Sequence, residues 1–202
     1  MFNVGDRVTV VDFEDYTGRS GVIESLYDTS IWEYECDVRF TNGDVMAFNF
    51  CELKLAFARG FQQVSTFENI SLPQRKTKDS AGYDFECAED VTLEPHKVTV
   101  VPTGVKAYMQ SDEYLGLHIR SGLAIKHSLS LVNSQGIVDA DFYNNSDNEG
   151  HIQFAVVNHS DTPVELKRGQ RIGQGIFYKY LKADNDEATG ERKGGFGSSG
   201  LN

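Results

Sequence analysis

No apolar run in this 202-residue chain approaches the roughly 18 residues that a membrane helix needs. Residues 1–10 also lack the basic start and apolar stretch of a secretion signal, so the expectation is a soluble, cytoplasmic protein with no membrane partner. The acceptor-like tripeptides at Asn69, Asn144 and Asn158 are then idle. Cysteine is scarce. Cys36, Cys51 and Cys87 are odd in number and widely spaced, with no CxxC or Cys/His cluster of the zinc-holding kind, and they read as buried thiols. Positive charge is short as well: 19 Lys and Arg face 30 Asp and Glu, a formal net charge of −11. That balance excludes general nucleic-acid binding, which rests on neutralising phosphates. Helical periodicity over any long run is missing, and the five histidines show no metal-ligand spacing and no nearby Ser or Cys partner.

What is present is β pattern. A hydrophobic content of 40% is enough for a core plus a small accessory domain. Up to about Leu55, short runs at Val8–Val10, Gly21–Leu26, Trp32–Phe40 and Val45–Phe50 alternate with turns, and the last two flank Asn42-Gly43, a strong hairpin signal. Residues 1–60 carry five basic and eleven acidic residues, a net of −6. The segment resembles a five-stranded barrel of the Src-homology or KOW type, and its acidity points to a stabilising or protein-binding appendage. Residues 56–69 read as a connector. Further runs follow at Val98–Val101, Tyr114–Ile119, Leu129–Val132, His151–Val157, Val164–Leu166 and Ile172–Tyr178, separated by Gly, Pro, Asn and Asp. The expected class is all-β, jelly-roll-like (β-clip). The expected division is 1–58 for the small β domain, 64–181 for the main domain and 182–202 for a C-terminal arm.

Five short stretches carry chemistry. Ala81–Phe85 reads AGYDF. Arg120-Ser121-Gly122 sets a bidentate cation beside a hydroxyl, with a glycine that lets a ligand approach the backbone. In Gly136–Phe142, Asp139 and Asp141 are two apart and share a face if extended, and an Asp near a bound phosphate can orient and deprotonate water. Arg171 and Gln174 offer further donors after the reversal at Gly169. The last stretch, Gly194–Gly200, fits the dinucleotide fingerprint formally but has no room for the helix which that motif opens; its amides and hydroxyls can still wrap phosphate oxygens. Each alone has a bland reading: a surface ion pair, an Asp-rich turn, an ordinary strand or a plain tail.

In this order, from Leu72 to Gly200, they resemble the five motifs of the trimeric dUTPase family. The resemblance implies hydrolysis of dUTP to dUMP and pyrophosphate in a homotrimer with sites shared between subunits and closed by the C-terminal arm. It implies Asp139 as the general base, and Asn133 with the backbone of Gly136, Ile137 and Val138 as readers of uracil. Phe142, or its neighbour Tyr143, would pack on the deoxyribose. Arg120, Ser121, Gly122, Arg171, Gln174 and Arg192 would bind phosphates. Phe196, with Gly197, Ser198 and Ser199, would form the lid, and Asp84 would serve an outer-sphere Mg²⁺. Mg²⁺ and local cations would then offset the acidic surface. The sequence departs from the family pattern where Phe142 stands in place of the usual Tyr, in the longer stretch Asn144–Gly150, and where Arg192 stands two rather than three residues before the glycine pair. A dCTP deaminase of the same fold and a non-enzymatic interaction protein are the rival readings; the first needs a glutamate base where this chain has Asp139.

Overall fold

A computed structural model describes residues 2–31, 33–56, 58–188, 190, 192 and 194. The chain divides into two compact units: residues 1–60 with 109–111, and residues 61–108 with 112–202.

The first unit is one antiparallel sheet of five strands, β1 (Arg7–Val10), β2 (Ser20–Leu26), β3 (Cys36–Phe40), β4 (Val45–Phe48) and β5 (Leu53–Leu55), in the order β4-β3-β2-β1-β5. Alternation places Val8, Val10, Ile23, Cys36, Val38, Phe40 and Phe48 on one buried face. The Asn42-Gly43 turn joins β3 to β4, with Gly43 at φ 93°, a backbone region glycine reaches without penalty. Cys36 is buried as the sequence implied, and burial pushes its thiol up to about 11. Cys51 is exposed, against expectation: it lies in a 3₁₀ turn, Phe50–Glu52, whose residues include none that is buried.

The second unit holds β6 (Gly60–Gln63), β7 (Tyr83–Glu86), β8 (Val91–Leu93), β9 (Val98–Tyr108) and β10 (Glu113–Ile119), then a short helix α1 (Ser121–His127). After it come β11 (Leu129–Leu131), β12 (Gly136–Asp139), β13 (Ile152–Asn158), β14 (Val164–Leu166) and β15 (Arg171–Lys179). Two four-stranded sheets, β12-β10-β15-β7 and β11-β13-β9-β6, and the pair β14-β8 make up the unit. The stretch read as a connector thus contains β6, and α1 is a helix too short to show in a periodicity search. The sheets face each other: Phe85 of the first meets Phe154 of the second with ring centres 5.7 Å apart. They come so close at Gly173 that a Cβ there would lie 2.1 Å from the Phe154 ring. The core is filled by Leu115, Leu117, Val138, Ile152, Phe154, Leu166 and Ile172, all buried. Among the described residues no helix is long and apolar enough to cross a membrane.

His151 is buried; its Nε2 accepts the Gly104 amide at 2.9 Å and its ring packs on Phe67. Burial holds its pKa below the usual value. Above about pH 6.5 folded and unfolded chains are both neutral there, and the stabilisation is complete. As pH falls below that value the unfolded chain takes up a proton that the folded chain refuses, so stability drops. Urea unfolding at pH 7.5 and 5.5 should show a lower midpoint in acid, and His151→Gln should flatten the difference.

Candidate functional site

The first group of predicted residues lies where β10 ends. Arg120 caps α1 in extended conformation (φ −67°, ψ 134°), its carbonyl accepting the amides of Leu123 and Ala124 at 3.0 Å. Its own amide donates to the Ile172 carbonyl, which ties the helix start to β15. Asp84 on β7 stands opposite Gln174 on β15. Its carboxylate accepts from Arg171 Nη1 at 2.8 Å and lies 3.9 Å from Arg120 Nε. One acid therefore holds two guanidiniums side by side. Arg120, Gly122, Leu123, Lys126, His127, Gln170 and Arg171 line a cleft of about 300 Å³. Ser121, next to Arg120 in the chain, is exposed, and a Cβ on Gly122 would meet open space, so nothing in the chain itself crowds that backbone. Gln174 lies across Gly82: a Cβ there would come within 2.1 Å of Gln174 Oε1, which explains the glycine of the first motif.

The second group lies on β12, an edge strand of the same sheet. Asn133 and Ile137 are exposed, Val138 points into the core, and Ser134 takes the left-handed conformation (φ 63°) that turns the chain into the strand. Asp139 ends the strand opposite Tyr114 and precedes a 3₁₀ turn, Ala140–Phe142. Asp139 and Asp141 share one cation: Arg192 of the arm donates to Asp139 Oδ2 at 2.5 Å and to Asp141 Oδ1 at 2.7 Å. The Arg192 guanidinium also sits 5.7 Å over the Phe142 ring. Phe142 is held from behind by Asn145, whose Nδ2 donates to the Phe142 carbonyl. Tyr143 turns elsewhere, donating to Gln62 Oε1 at 2.7 Å with Lys106 over its ring. The long stretch Asn144–Gly150 is pinned by Lys106, which bonds Asn144 and Glu149. Ser65 and Lys106 together hold the Glu149 carboxyl down to about 2.

The two groups do not meet within one chain. Asp139 pairs with Tyr114 at one end of β10 and Arg120 follows the other end, six residues away, or roughly 20 Å along the strand. Phe196, Gly197, Ser198 and Ser199 lie outside the described residues.

A family model described as dUTPase matches residues 68–200. The chain belongs to the dUTPase family. The deoxyuridine 5'-triphosphate nucleotidohydrolase of Lactococcus lactis subsp. lactis (strain IL1403) is 47% identical over 146 residues, 70% of this chain and 97% of the relative. That of Helicobacter pylori (strain P12) is 35% identical over 138 residues, 66% of this chain and 91% of its own. Among solved structures, a dUTPase from Streptococcus mutans aligns with a TM-score of 0.60 at 44% identity, covering 62% of this chain and 99% of its own. A dUTPase of phage phi11 of S. aureus, at 20% identity and a TM-score of 0.55, shows the fold alone.

Asp84, which the family resemblance associates with an outer-sphere metal, also anchors Arg120 and Arg171. Lys126 carries no motif and His127 no metal-ligand spacing in the sequence, although Gly122 and Lys126, four apart on a helix, share a face. Asp84→Ala should leave Arg120 and Arg171 without their common anchor. It should raise KM for the triphosphate by roughly tenfold, the loss of one charge-assisted hydrogen bond, with the fold retained by circular dichroism.

Proposed function

We propose that this chain hydrolyses dUTP to dUMP and pyrophosphate, and that a homotrimer completes each site by joining the Arg120 cleft of one subunit to the Asp139 strand of another. The observation that carries the reading is that separation: a triphosphate grip and a carboxylate on an open strand edge, both built from the family's motifs, lie at opposite corners of one sheet. As an edge strand, β12 has backbone donors and acceptors on its outer side, which suits base-pair-like reading of uracil beside Asn133 by the backbone of Gly136–Val138. Phe142, buried on the Asp139 side with Arg192 over its ring, takes the deoxyribose once Arg192 leaves, since Tyr143 is engaged by Gln62 and Lys106.

Arg120, Arg171, Ser121, the Gly122 backbone and Gln174 receive the phosphate chain. Asp139 accepts a proton from water as its oxygen bonds to the α-phosphorus; the bond to the bridging oxygen breaks and pyrophosphate leaves with the electron pair. Arg192 must leave the two aspartates for Asp139 to act, and an incoming γ-phosphate gives it an alternative partner. Phe196, with Gly197, Ser198 and Ser199, then covers the base. Among the described residues no three or more His, Cys, Asp or Glu gather around a cation position. Phosphate oxygens, with Asp84 reaching the ion through a water, fit Mg²⁺, which keeps several waters; a structural Mg(II) ion is named for the phage phi11 dUTPase. When bound, the ion would neutralise phosphate charge. The acidic first unit, outside the matched residues, serves as a stabilising or protein-binding appendage rather than in the reaction, and the chain acts in the cytoplasm.

Asp139→Asn should bind dUTP with little change in affinity and lose about a thousandfold in kcat, measured by pyrophosphate release with Mg²⁺. Near-normal turnover would remove Asp139 as the base. Ammonia from dCTP would instead place the enzyme with the deaminases of this fold.

A further inference from the structure

Gln135 stands directly before β12, and its side chain does not follow the strand outward. It folds back over β10, where Gly116 leaves the space: a Cβ on Gly116 would lie 2.6 Å from Gln135 Nε2 and 2.7 Å from the Tyr178 ring. Gln135 Nε2 is 3.2 Å from His118 Nε2, and the Tyr178 hydroxyl reaches the same nitrogen at 3.3 Å. With a neutral ring carrying its proton on Nδ1, both neighbours donate to one lone pair; with the amide turned over and the proton on Nε2, the Gln135–His118 bond still closes. Tyr178 is held in turn by stacking on Tyr114, 5.2 Å between ring centres, and Tyr114 is the register partner of Asp139.

The side chains thus form a row over β10 and β15, from Gln135, directly before β12, to Tyr114, the register partner of Asp139 at its end. The Gln135 backbone N–H donates to the Asn133 carbonyl at 2.6 Å, so holding Gln135 by its side chain holds the turn that presents Asn133 and the outer backbone of Gly136.

We propose that His118 is a positioning residue for base recognition: through Gln135 it fixes the turn at 133–136 and so sets selectivity for uracil. The inference rests on the proposed dUTP hydrolysis and deepens it. His118 touches neither phosphate nor the attacking water, so its loss falls on KM and base selectivity and spares kcat.

The test is kcat and KM for dUTP and dCTP in the full-length protein. His118→Leu and Gln135→Leu should each raise KM for dUTP about fivefold, the worth of one hydrogen bond, and narrow the dUTP-to-dCTP ratio of kcat/KM by a similar factor, with kcat changed less than about twofold. The double variant should be no worse than either single one, because both remove the same bond. His118→Gln, which keeps a polar atom in reach, should recover most of the loss. Gly116→Ala, which displaces Gln135 without touching its chemistry, should reproduce the narrowed ratio. Effects that multiply in the double variant, or a fall in kcat with an unchanged base ratio, would overturn the role. Wild-type protein inert towards dUTP would overturn the proposed function itself; active wild type with variants indistinguishable from it would overturn the positioning role alone.

Discussion

The register of β10 between its two neighbours is the constraint from which the rest of the site follows. Antiparallel pairing sets Tyr114 against Asp139 on one side and Ile119 against Gly173 on the other. A slip of one residue would exchange the faces of every side chain on the strand, burying Tyr114 and exposing Leu115 and Leu117, so the hydrophobic core enforces the register. With it fixed, Asp139 and the Arg120 cleft stand at opposite ends of one strand. No side-chain rotation brings them around a single phosphorus atom, and this is what makes the proposed assembly a chemical requirement rather than an ornament of the fold.

Electrostatics works within that frame. A chain of net charge −11 repels a polyphosphate at long range, yet Asp84 gathers Arg120 and Arg171, and α1 adds Lys126 at the same cleft. Acidic residues here concentrate positive charge instead of opposing it. At the other corner Asp139 and Asp141 hold Arg192, so the arm's cation already sits beside the position proposed for the α-phosphorus. In the proposed reaction, binding would exchange the anionic partners of one guanidinium, which costs less than stripping it from water.

Much of this was legible in the sequence because the signals were local. Asn42-Gly43 specified its hairpin, the apolar runs marked eight of the fifteen strands within two residues while Val98–Val101 covers only the start of β9, and the Asp139/Asp141 spacing anticipated two carboxylates meeting one partner. Other features depend on pairings across the fold. Asp84 and Arg171 are distant in sequence and meet only through the β7–β15 ladder, so Asp84 could not be recognised as an arginine anchor beforehand. The helix after Arg120 is too short for periodicity to show, and β6 and β8 are short and partly polar. His118, Gln135 and Tyr178 carry no motif; only the gap left by Gly116 brings them together.

The central claim is that the phosphate grip of one chain serves the base of another, and complementation between two inactive variants tests it most directly. Asp139→Asn and Arg120→Ala, each purified and shown to be inactive, would be unfolded together, refolded as a mixture and assayed for pyrophosphate release from dUTP. The account predicts that the mixture regains activity that neither variant has alone, because some mixed assemblies pair an intact Arg120 with an intact Asp139 from different chains. A mixture as inactive as its parts, despite verified exchange of subunits, would contradict it.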